Sequence, residues 1–212
     1  MAGLDLPTLI ARAIVLLIAF TVHELAHAVT ADRLGDPTPR RMGRITLNPL
    51  AHLDPIGTIM LLLVGFGWAK PVMVNPMNMR GNPRTSMAIV AIAGPISNIL
   101  MALAGALVFR LGLVDFTFNS TLEFLPSPAF LLSEFVWINL ILAFFNLIPI
   151  PPLDGSKILY AFLPSEWVYR IQPLERFGFL ILFGLVYLVP TFINTLVVAP
   201  SLAILQFLIG VG

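Results

Sequence analysis

Residues 177–212 include no Asp, Glu, Lys, Arg or His. A helix on the surface of a soluble domain keeps one polar face in water and so needs charge at regular intervals. A bilayer interior imposes the opposite requirement. Charge is thin over the whole chain as well, at 11% of 212 residues, where soluble domains carry about 25%. The chain therefore reads as an all-α polytopic membrane protein. In hydrocarbon every backbone N–H and C=O must be satisfied within its own segment, which leaves a bundle of about four to six transmembrane helices as the expected architecture.

Four further apolar stretches precede that one, at about 6–31, 56–66, 86–111 and 129–148. A crossing takes roughly 20 residues, so the first, third and fourth each qualify. The run at 56–66 is short and reads as a re-entrant segment. The final stretch, 177 to about 209, is too long for one untilted helix and is interrupted at Pro190. It reads as a kinked helix followed by a short return. The first stretch is too long for a signal-peptide core and lacks a basic flank, so it is expected to be retained. With no repeat and no polar segment large enough for a soluble domain, residues 1–212 are expected to form one membrane-embedded domain.

The distribution of basic residues sets an orientation. Arg33, Arg40, Arg41, Arg44, Lys70, Arg80 and Arg84 lie between the first and third stretches, and Lys157, Arg170 and Arg176 follow the fourth. The 112–128 segment instead has Asp115 and Glu123. Positive loops stay in the cytoplasm, which puts the N-terminus outside in a multi-pass cell-membrane protein. It also favours the re-entrant reading of 56–66, since a full crossing there would separate Arg40 from Lys70. Arg12 and Arg110 fall near outer helix ends, where long side chains snorkel to the interface. A formal net charge of +1 gives no global field to draw nucleic acid.

Near the inner end of the first stretch stands His23-Glu24-Leu25-Ala26-His27. Residues four apart share a helix face, so both imidazoles reach one metal ion, while Glu24, about 100° around, can take a proton from water held there. The pattern also arises by chance in soluble helices. In lipid, two histidines and a glutamate are costly unless they pair or bind something, and this favours the metal. With no cysteine in the chain, any metal site uses nitrogen and oxygen donors. Catalytic zinc takes three protein ligands, and the third histidine, His52, sits in a loop. The better third ligand is Asp154, in Asn146-Leu147-Ile148-Pro149-Ile150-Pro151-Pro152-Leu153-Asp154-Gly155. There three prolines break the helix, and Gly155 permits a sharp turn and close approach. An ordinary helix cap is the alternative for this aspartate. The charge-derived orientation brings His23, His27 and Asp154 to the same membrane face.

This pairing of His-Glu-x-x-His with Asn-x-x-Pro-x-Pro-x-Leu-Asp-Gly resembles the site-2 protease family of intramembrane zinc metalloproteases. Gly94-Pro95-Ile96-Ser97-Asn98, and the run Gly67-Trp68-Ala69-Lys70-Pro71-Val72-Met73-Val74-Asn75-Pro76, look like its small prokaryotic members. The resemblance implies one zinc on His23, His27 and Asp154, with Glu24 as catalytic base. The substrate would be a transmembrane protein or peptide. The 112–128 segment is too short for the inserted peptide-binding domain of some members, and no nucleotide-binding domain or other soluble accessory domain is expected in the chain.

Asn98 and Asn146 are weaker candidates for substrate binding. Asn98 in its apolar helix also fits helix packing through small residues, whereas Asn146 could donate to the substrate carbonyl or oxyanion. His52, with Asp54, reads as a loop histidine. The Val72-Met73-Val74 run between prolines could form an edge strand or short hairpin onto which an extended substrate adds. A metal-binding membrane transporter is the competing reading. It would need polar residues aligned to both faces, and Arg12, Glu134 and Asn139 look scattered.

Overall fold

The computed structural model describes residues 5–55, 57, 68–120 and 122–210. The expected re-entrant segment at 56–66 therefore lies almost wholly outside the described residues. Among these, five helices are long and apolar enough to cross a membrane. They are α1 (Leu6–Leu34), α2 (Pro83–Arg110), α3 (Pro128–Asn146), α5 (Ser165–Leu188) and α6 (Pro190–Ile209). The shorter α4 (Asp154–Phe162) sits between α3 and α5.

The three central helices start in the same way. Asp5, Asn82 and Ser127 each accept a hydrogen bond from a first-turn N–H, and Pro7, Pro83 and Pro128 stand in that turn, where a missing N–H costs nothing. α1 ends at Gly35, whose φ of 112° is left-handed backbone that closes the helix. The last apolar stretch is not one kinked helix with a short return. Val189–Pro190 divides it into α5 and α6, each long enough to span, because Pro190 starts a new helix more readily than it continues the old one. α6 itself widens into a π turn at Asn194–Val198, just before Pro200, which has no N–H to give to that turn.

α2 is the hub, packed against α1, α3 and α4, and α6 leans on α2 and α3. The buried face of α1 is a ladder of every fourth residue: Ala11, Val15, Ala19, His23, His27, Ala31. α2 answers with Ser86, Val90, Gly94, Asn98, Ala102 and Ala106. Small side chains on both ladders let the two backbones approach closely, which is how helices associate where lipid gives no hydrophobic drive. Large apolar residues point outward instead, among them Ile18, Leu100, Leu107, Leu180 and Phe207. Polar Asn98, Asn139, Ser133 and Glu134 point inward.

The expected hairpin is absent among the described residues, where pairing reduces to an isolated antiparallel bridge between Leu53 and Ala69. Residues 70–75 belong to no helix or strand among the described residues, and Asn75 is extended. They are tied instead to α1, as described below.

Candidate metal centre

The site is built where α1, α2 and α4 meet. α1 supplies His23 and His27 from one face, both buried. α3 ends at Asn146, and a turn through 147–153 delivers Asp154 as the first residue of α4, not on irregular backbone as its prolines suggest. Gly155 makes that delivery possible. A Cβ there would run into the carbonyls of Leu147 and Ile148, so the chain folds back on itself only with hydrogen in that place.

The outer ring nitrogens fix the inner ones. His27 Nδ1 faces the Val90 carbonyl at 2.8 Å; a carbonyl only accepts, so Nδ1 carries the proton. For His23 the same answer comes through two amides. The Phe135 carbonyl takes a hydrogen bond from Asn139 Nδ2 at 2.8 Å, and Asn139 Oδ1 takes one from Asn98 Nδ2 at 2.8 Å. Asn98 therefore turns Oδ1 toward His23 Nδ1, 2.5 Å away, and that nitrogen must donate. Both Nε2 atoms are left with bare lone pairs, 3.0 Å apart. Asp154 Oδ2 stands 3.1 Å from one and 3.3 Å from the other. With both rings neutral, three electron-rich atoms converging in a buried place repel one another unless a metal cation or a shared proton lies among them. Two imidazole nitrogens and one carboxylate oxygen, within 4.8 Å of one another, are a donor set that fits zinc.

α2 leaves room for this group. A Cβ on Gly94 would lie 2.5 Å from His23 Cε1, His23 Nε2 and His27 Cε1. Glu24, also buried, points to a different partner: its Oε2 accepts the Val72 N–H at 3.0 Å. Beyond Val72 the run is held by Asp36, which is completely buried and accepts from Asn75 N at 2.7 Å, Asn78 Nδ2 at 3.0 Å and Thr38. Burial pushes the Asp36 carboxyl up, but the hydrogen bonds from Thr38, Asn78 and Asn75 outweigh it and hold the group below its ordinary value.

Of the residues singled out in the sequence, His23, His27 and Asp154 come together, Glu24 adjoins them on α1, and Asn98 touches His23. Asn146 stays on the last turn of α3, its amide donating to Leu142 O at 3.0 Å. His52 is apart from the metal group and buried, with Nε2 against Thr46 O at 2.9 Å. Arg12, Glu134 and Asn139 each have a local partner. Arg12 pairs with Glu134 at 3.1 Å and Asn139 supports Asn98, so each is satisfied locally. Val90 through its carbonyl and Asp36 escaped the sequence reading, Gly94 entered it only through the Gly94–Asn98 resemblance, and Arg44 only as a loop charge. A backbone carbonyl has no sequence signal, and the other three act through contacts across gaps in sequence that no local pattern encodes.

The profile of peptidase family M50 matches residues 11–129 and 119–190. The chain belongs to that family. A relative in Bacillus subtilis (strain 168), named "Putative zinc metalloprotease YwhC", is 42% identical over 172 residues, 79% of this chain and 76% of its own. The Mycolicibacterium smegmatis protein Rip2, carrying the same designation, is 33% identical over 78% of this chain and 62% of its own length. MJ0611 of Methanocaldococcus jannaschii, also so designated, is 30% identical over 76% and 74%. No solved structure matches the chain. Zinc, a metalloprotease fold and a multi-pass membrane setting thus agree between the M50 relatives, the apolar helices and the His–His–Asp group.

Proposed function

We propose that the chain is an intramembrane zinc metalloendopeptidase that hydrolyses peptide bonds within or near transmembrane segments of membrane protein substrates. In this reading His23, His27 and Asp154 hold the metal and Glu24 is the base. The observation that carries it is the pair of fixed tautomers, which leaves both Nε2 lone pairs converging with Asp154 Oδ2. Zinc supplies Lewis-acid polarisation and makes water nucleophilic near neutral pH. Glu24 takes the proton from the attacking water and returns it to the leaving amine. Asn98 holds His23 in the tautomer that keeps Nε2 available, and so serves the site through that ring rather than by touching substrate. Asn146, on the turn leading to Asp154, remains the candidate donor to the substrate. The non-helical 72–74 run beside Glu24 suits an unwound substrate, since a helical peptide hides its carbonyls in its own hydrogen bonds.

The orientation belongs to the same proposal: N-terminus outside, active site toward the cytoplasm. Arg80 N bonds Leu34 O at 2.8 Å and Arg84 Nη1 bonds Leu163 O at 3.4 Å. The end of α1, the start of α2 and the end of α4 therefore share one end of the bundle, and it is the basic one. His27 lies about two turns, or roughly 10 Å, inside that end of α1.

The test is cleavage of a labelled transmembrane peptide by the purified chain in liposomes, with zinc content measured in parallel. Glu24→Gln is expected to keep zinc and lose turnover, and Asp154→Ala to lose both. Normal cleavage by Glu24→Gln would remove the assigned base. Zinc uptake into the liposomes without cleavage would favour a transporter instead.

A further inference from the structure

We propose that Arg44 positions Glu24 for catalysis, acting through the single peptide unit that joins Pro71 to Val72. The proposal rests on Glu24 being the base. Arg44 is only 3% exposed, and among the described residues it pairs with no carboxylate. A buried guanidinium is costly unless its N–H groups are all directed at acceptors. Here they grip backbone: Nη1 donates to the Ala51 carbonyl, and Nη2 to Lys70 O at 3.1 Å and Pro71 O at 2.8 Å. Lys70 N in turn donates to His52 O at 2.8 Å. The two chain segments on either side of residues 56–67 are thereby joined around one cation.

The Pro71 carbonyl and the Val72 N–H are the two ends of the same planar amide. Arg44 holds the oxygen of that amide, and Glu24 Oε2 takes its hydrogen at 3.0 Å. Fixing the carbonyl fixes the direction of the N–H, because the unit has no internal torsion to absorb a change. A cation on the oxygen also polarises the amide and strengthens it as a donor. The far side of the strap is pinned independently by Asp36 through Asn75 N and Asn78 Nδ2. With Oε2 committed to a fixed donor, the Glu24 carboxylate has one orientation, and its second oxygen is the one that meets water. Arg44 is therefore a positioning residue, with no contact to substrate of its own.

Four variants of the full chain test this: Arg44→Ala, Arg44→Lys, Val72→Pro, which deletes the N–H, and the Arg44→Ala/Val72→Pro double. Arg44→Ala and Val72→Pro are each expected to keep wild-type zinc content. Each should lower kcat about 100-fold, as a misdirected catalytic group does, with KM little changed. Arg44→Lys should recover part of the loss. The double variant should be no worse than either single one, since both break the same link. Independently of turnover, hydrogen exchange at the Val72 amide should be slow in the native chain and fast in Arg44→Ala. Native kcat in Arg44→Ala, additive losses in the double variant, or unchanged exchange at Val72 would each overturn the proposal. So would loss of zinc from Arg44→Ala, which would make the arginine a scaffold residue. Should Glu24→Gln prove active, the base assignment fails, yet the exchange measurement still reports whether Arg44 governs the Val72 amide.

Discussion

A single methyl group at position 94 would lie 2.5 Å from both imidazoles, so one hydrogen atom decides whether the His pair fits against α2. Gly94→Ala is expected to displace the rings and lower zinc affinity about 10- to 100-fold, the range found when groups that orient metal ligands are disturbed. Zinc retained against a graded series of chelator concentrations checks it. Asp36 carries a different kind of dependence. Its carboxyl is held below the unfolded value of about 3.9, so folding favours its charged form. The stability this contributes is complete above the unfolded value and is lost as pH falls through the folded one. The strap that meets Glu24 should accordingly stay in place at neutral pH and loosen only below about pH 4. Asp36→Ala, which strands the Asn75 N–H and its neighbours, should cost roughly 1–3 kcal/mol at neutral pH and abolish that acid-side decline. Thermal unfolding in detergent across a pH series measures both.

At the next level up, helices α1, α2 and α3 owe their start points to a polar cap followed by proline, and α1 and α2 pack through every-fourth-residue ladders rich in small side chains. Removing a cap by Asn82→Ala leaves the first-turn N–H groups of Arg84 and Thr85 without their side-chain acceptor. It should lower stability by about 1 kcal/mol without altering zinc content, as thermal unfolding and metal analysis would register. Both signals stand in the sequence. The ladder Ala11, Val15, Ala19 runs straight into His23 and His27, so the proposed metal ligands occupy positions that packing had already turned inward. The long apolar stretches were legible for the same reason, namely that lipid tolerates only continuous runs. The division at Pro190 was harder to read. Proline is compatible with a kink, a break or a fresh start, and only the space available beside α2 and α3 selects among them.

Over the molecule as a whole, polarity is inverted: asparagines, two glutamates and three histidines inside, many leucines and phenylalanines outside. In the proposed site, zinc held by His23, His27 and Asp154 ties α1 to α4 at the centre. Stripping zinc with a chelator should therefore destabilise the fold. At free zinc a hundredfold above Kd the difference is about 2.7 kcal/mol, seen as a drop in Tm that His23→Ala, which lacks one of the proposed ligands, should not show.

Composition alone was enough to establish a helical membrane protein, and motif spacing to give His23 and His27 a common face, to set Glu24 beside them, and to nominate Asp154 from a distance of more than a hundred positions. The helical reading and the shared face of the two histidines are legible because helix periodicity and the intolerance of hydrocarbon for charge are local rules, enforced residue by residue. The contacts that complete the centre follow no such rule. The tautomer of His23 is set by Asn98, Asn139 and the Phe135 carbonyl, and the direction of Glu24 by an amide that Arg44 holds from the other side. These partners lie far apart in the chain and include backbone atoms identical in every residue. Only the packing of one helix against another brings them within hydrogen-bonding distance.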